Sequence, residues 1–155
     1  MNPDAIRIYT NSIVTIEGNQ DLKGKKVIVV EDGPTLTHGS MSYGAGFVAA
    51  TNSGAIIIDP KPYITGTMKI VFEEFPQITQ IVPAMGYNDQ QIKDMEDTLN
   101  KAECEYIIDG SPIDLEKLID SNKPIVRVSY DIEAITNPTI EEVLDEFIEK
   151  HLKQN

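Results

Sequence analysis

Apolar residues along this chain fall into short runs separated by polar stretches that carry glycine and proline. Runs at residues 5–9, 26–31, 55–59, 80–84, 105–109 and 125–130 are rich in Ile and Val, and most lack an alternating polar face. That pattern predicts strands buried on both faces of a parallel sheet. Between the runs the apolar spacing changes to three and four. Residues 42–52 run into Gly54, a helix stop, and residues 67–75 end before Pro76. Asn88 and Gln91 form a helix-start pattern ahead of Ile92, Met95 and Leu99. A short helix over 114–119 follows Pro112. Thr139 and Glu142 spell a capping box, and Ile140, Val143, Leu144, Phe147, Ile148 and Leu152 form one stripe behind it. The acids Glu141, Glu142, Asp145, Glu146 and Glu149 make the opposite, solvated face.

Strand and helix alternation predicts an α/β fold: a Rossmann-like open, mainly parallel sheet of about five strands after residue 25, with helices on both faces. Residues 25–155 form this domain. Residues 1–24 read as an N-terminal strand plus a polar linker. In such sheets ligands bind beyond the carboxyl ends of the strands. Here those ends read Glu31-Asp32-Gly33, Asp59 to Tyr63, Pro83 to Tyr87, Asp109-Gly110-Ser111 and Tyr130-Asp131.

Charge narrows the function. The 155 residues carry a formal net charge of −12, which argues against nucleic acid and against an anionic membrane surface. An anionic ligand would need local donors. Cys104 is the single cysteine. It excludes an internal disulfide, suits a small buried residue, and with no signal peptide or spanning apolar run implies a cytoplasmic protein.

The candidate chemistry concentrates after the strand at 26–31. Asp32, Gly33, Thr35, Thr37, His38 and Gly39 lead into Tyr43, Gly44 and Gly46 at a helix start. Glycine admits a ligand close to backbone N–H groups, and a helix start carries partial positive charge. The segment therefore reads as an anion site for a phosphate or carboxylate, with Lys61 the best-placed cation. His38 and Asp32 are the acid–base candidates; imidazole titrates near ~6.5 when unperturbed. Asp59, Tyr63, Gly86, Tyr87 and Ser111 are further candidates on the same edge. The same threonines and acids equally suit turn closure and capping. Residues 44–49 match a G-x-G-x-x-A pattern, but about a dozen residues separate it from its strand, which is the wrong turn for a dinucleotide. There is no G-x-x-x-x-G-K-[ST], no Cys/His metal cluster and no G-x-S-x-G elbow.

Taken together, the blocks from Val27 to Gly39, Met41 to Gly46, Asp59-Pro60-x-Pro62-Tyr63, Pro83 to Tyr87, Gln91 to Asp94 and Ser111 to Leu115 resemble the C-terminal part of the predicted GTPase family related to cyclic 2,3-diphosphoglycerate synthetase. The resemblance runs from about Asn2 to Ile148. It implies a larger cytoplasmic, nucleotide-dependent enzyme with a P-loop domain ahead of this one, binding NTP and Mg there. It also implies a small phosphorylated ligand, with homo-oligomers as a further expectation. Asn2-Pro3-Asp4-Ala5 resembles the last strand of that P-loop domain, so the isolated chain is expected to be inactive and to bind no cofactor alone. Lys61 stands where the family more often has arginine, and Ser40 where it often has glycine. The function expected is an anion- or phosphate-binding C-terminal domain of such an enzyme. The alternative is a non-catalytic regulatory or oligomerisation domain packed against a P-loop NTPase domain.

Overall fold

The computed structural model describes every residue except Met1, Asp4, Ser40, Tyr87 and residues 153–155. The chain divides into two compact units, residues 14–129 and residues 1–13 with 130–155.

In the larger unit β2 (Lys26–Glu31) is central. β5 (Tyr106–Gly110) runs parallel along one edge, from Val27 opposite Tyr106 to Glu31 opposite Gly110. The other edge is shared by two short parallel strands. β3 (Ile56–Ile57) pairs with Lys26 and Val27, and β4 (Val82–Pro83) with Val30 and Glu31. β6 (Ile125–Ala134) lies parallel to β5. The five strands after residue 25 are thus joined by parallel pairings, as the apolar runs predict. The sheet as a whole is mixed, with β1 (Thr10–Ile16) beside β6.

Successive residues of a strand point to opposite faces, and β2 shows it directly. Val27 and Val29 enter a core with Ala49, Ala50 and Val71, on α2 (Ala45–Asn52) and α3 (Met68–Glu74). Ile28 and Val30 enter a second core with Met95, Leu99 and Leu115, on α4 (Asp89–Lys101) and α5 (Leu115–Leu118). Helices therefore cover both faces.

Two local expectations are corrected. The first strand is not residues 5–9 but Thr10–Ile16, inside the stretch read as linker. Its Ile13-Val14-Thr15-Ile16 run is β-branched and suits a strand, but the Asn, Ser and Gly around it read as linker; pairing with β6 selects it. The segment after β2 is not all loop. Gly33–Thr37 forms a short helix, α1, with Pro34 in its first turn. Gly-Pro reads as a turn, yet proline fits the first helical turn, where its missing N–H costs nothing. The remaining unit ends in α6 (Ile140–His151), whose expected Thr139–Glu142 capping box is present.

Candidate active-site cleft

β2 delivers Asp32 to its carboxyl end, and Asp32 starts α1. Its carboxylate accepts from the Thr35 amide at 3.2 Å and from the Thr35 hydroxyl. Leu36, fully buried, anchors the helix in the first core. His38 then stands exposed at its end. The Thr37 hydroxyl lies 2.9 Å from the Gly33 carbonyl and 2.9 Å from His38 Nδ1. A hydroxyl has one proton, and the carbonyl can only accept. Thr37 therefore donates to Gly33, and His38 donates through Nδ1–H. That fixes the neutral tautomer, with its proton on Nδ1 and Nε2 as the acceptor nitrogen.

His38 belongs to a cleft of about 340 Å³. Gly33 and Thr37 of α1 share its wall with His38. Ile70, Val71 and Phe75 supply an apolar surface from α3 and its end, and Met85 closes it after β4. Thr67, Glu74 and Gln91 add polar groups. The cleft sits at the carboxyl ends of β2 and β4, where an open parallel sheet is expected to bind. Thr67 is held by Asp94 of α4, which accepts from the Thr67 amide and hydroxyl, both at 2.8 Å, and from Gln90 at 2.9 Å. The Thr67 bonds, then the Gln90 bond, hold the Asp94 carboxyl below its ordinary range.

The start of α2 is filled from within. Glu31, 2% exposed, points its carboxylate at this helix terminus. Its Oε1 accepts from the amides of Gly44 at 3.0 Å and Phe47 at 2.7 Å. The donors expected to be free for an external anion are thus satisfied by a side chain. Burial pushes the Glu31 carboxyl up; these amides pull against that shift, and the nearby Asp109 adds to it. The glycines have a packing reason here. A Cβ on Gly44 would lie 2.5 Å from Glu31 Oε2, and one on Gly46 3.2 Å from the Gly110 backbone. Local pattern does not single out Glu31; the one signal is an acid closing an otherwise apolar run, Val27 to Val30.

The remaining candidates scatter. Thr35 is engaged by Asp32, and the Gly39 amide bonds the Pro34 carbonyl at 3.2 Å. Tyr43 is half-exposed, its ring 5.2 Å from that of Phe47. β3 ends opposite Val27, four residues before β2 ends, so Asp59 leaves the sheet early. Its carboxylate accepts from the Lys61 amide at 2.9 Å and starts a 3-10 turn, Lys61–Tyr63, outside the cleft lining. Gly86 is exposed after β4. Ser111 is buried and donates from its hydroxyl (2.6 Å) and amide (3.0 Å) to Asp109, whose other oxygen meets Arg127 at 3.2 Å. Tyr87 lies outside the described residues. Burial raises the Cys104 thiol, in keeping with a packed residue. Among the described residues no group of three or more His, Cys, Asp or Glu is placed to hold a metal ion, and no helix is long and apolar enough to cross a membrane.

The chain is 47% identical over 148 residues to the arginine synthetase ArcE of Thermococcus kodakarensis. The match covers 95% of this chain and 33% of the relative, so the chain spans about a third of the length of the curated relative it matches. No family model matches the chain, and no solved structure matches it significantly.

Proposed function

We propose that this chain is the C-terminal domain of a nucleotide-dependent synthetase, and that the cleft at His38 is its small-molecule site. The observation that carries this reading is the cleft's lining: His38 and Glu74, of opposite chemical preference, beside an apolar surface of Ile70, Val71, Phe75 and Met85, with Thr37, Thr67 and Gln91 as further polar groups. A protonated His38 donates to a carboxylate or phosphate, and Glu74 accepts from a cationic end. The apolar residues cover an aliphatic body. A small amino acid or its phosphorylated intermediate has those three parts, and the 47%-identical relative is named for arginine synthesis. Asp32 acts by starting α1 and so setting His38 at the rim. NTP and Mg are handled by a P-loop domain in this reading, because the chain has no G-x-x-x-x-G-K-[ST] of its own. The acidic field of a −12 chain favours a cationic ligand at long range.

The test is calorimetric titration of the chain with L-arginine and, separately, with inorganic phosphate. Millimolar or tighter binding of at least one is expected. His38→Ala should weaken phosphate, and Glu74→Gln should weaken arginine, each about tenfold. Binding of neither, or binding indifferent to both substitutions, contradicts the reading.

A further inference from the structure

α1 carries His38 at its end but is only five residues long. An α-helix leaves its last four carbonyls without an intrahelical partner, so most of α1 depends on groups from elsewhere. Gln77 supplies one of them. Its side-chain amide donates through Nε2 to the Leu36 carbonyl at 3.1 Å, across 41 positions of sequence. Gln77 lies in the turn that closes α3, where the Ile78 amide bonds the Phe75 carbonyl at 3.0 Å. Leu36 and Ile78 are both buried and belong to one core. The Gln77 bond therefore ties together two walls of the proposed cleft. Leu36 stands just before the lining residues Thr37 and His38, and Gln77 just after Glu74 and Phe75.

We propose that Gln77 is a positioning residue of the cleft, one that sets the spacing between His38 and Glu74 and so the length of ligand that reaches both. This rests on the reading of the cleft as a site for a ligand with an anionic and a cationic end. Two groups that hold opposite ends of one ligand select its length only while the distance between them is fixed beforehand. His38 and Glu74 are both exposed, so close packing around their side chains does not fix that distance. The backbone beneath them does. Asp32 secures the start of α1 through the Thr35 amide, and Gln77 secures its last turn against the end of α3. Removing the Gln77 donor leaves the α1 end free to shift relative to Glu74, while the core contact of Leu36 keeps the helix on the sheet.

The experiment is calorimetric titration of the chain with L-arginine and with the guanidino amino acids one methylene shorter and one methylene longer. The wild-type chain should favour one of the three lengths by about tenfold, the order that a single methylene commands. Gln77→Met keeps the side-chain stem and removes the donor. It should bring the three ligands to within about twofold of one another. Inorganic phosphate, which meets only the His38 end, should keep its wild-type affinity in that variant. Gln77→Asn, whose amide falls a methylene short of the Leu36 carbonyl, should give the same result and decides the matter if Gln77→Met does not fold. A length preference retained in the variants overturns the proposal, and so does a loss of phosphate affinity as large as the loss of arginine affinity, which would mark a general loosening. Either result leaves the cleft reading standing, because the wild-type chain still binds. A wild-type chain that binds neither arginine nor phosphate overturns the cleft reading and this proposal with it.

Discussion

Glu31, at the end of β2, accepts a hydrogen bond from the backbone amide of Phe47 at 2.7 Å, inside the first turn of α2. A strand and the following long helix are thus tied by a buried carboxylate. Glu31→Ala leaves the Phe47 and Gly44 amides without that acceptor, and should cost about 2–6 kcal/mol by chemical denaturation, at about 1–3 for each of the two unpaired groups. Glu31→Gln keeps an acceptor oxygen and should cost less.

The same carboxyl sets a pH dependence. Burial raises it, so the folded state holds its proton more tightly than the unfolded chain. Stability from this group is therefore full below the ordinary carboxylate range and falls as pH rises through the raised value. Asp109, also raised by burial, acts in the same direction. Glu31→Gln should flatten this decline in a series of denaturation curves across that range. An unchanged slope would mean that Glu31 is not the titrating group.

Asp94 has the opposite sign. Its bonds from Thr67 and Gln90 lower its carboxyl, so its contribution is present above the ordinary carboxylate range and is lost as pH falls through the lowered value. Asp94→Asn should shrink the acid-side loss of stability. It should also weaken arginine binding, by loosening Thr67 in the cleft wall.

Arg127 faces Asp109 at 3.2 Å and donates to the Ile113 carbonyl at 2.9 Å. Asp109 is almost wholly buried, while the Arg127 side chain is 38% exposed. Arg127→Ala should destabilise the chain by about 2–3 kcal/mol, less than the 3–5 for a wholly buried pair, because water can partly replace the guanidinium. Thermal unfolding of Arg127→Ala and of Arg127→Ala with Asp109→Asn checks this; the double variant should recover part of the loss.

The sheet was legible because parallel strands buried on both faces must be apolar throughout, as Val27 to Val30 and Tyr106 to Ile108 are. α4 and α6 were legible because their caps, Asn88 and Thr139, are local chemistry. β1 was not, because its pairing with β6 joins residues more than a hundred positions apart. Within the site, His38 and Thr37 were visible as polar residues at a strand end. Their partners Glu74 and Gln91 sit in helical stretches whose spacing reads as ordinary surface, and only the fold brings them to the same cleft. At the glycines 44 and 46, expected to admit an anion, the close neighbours within the protein are Glu31 and the Gly110 backbone, which no local pattern announces.

Residue-resolved titration of backbone amides with inorganic phosphate tests the central claim most directly, because it separates the two places an anion can go. The account predicts shifts confined to Gly33, Thr37, His38 and their neighbours. The amides of Gly44 and Phe47, held by Glu31, should stay silent. Shifts at Gly44 and Phe47 with His38 unmoved would contradict it, and would place the anion at the start of α2 with Glu31 displaced.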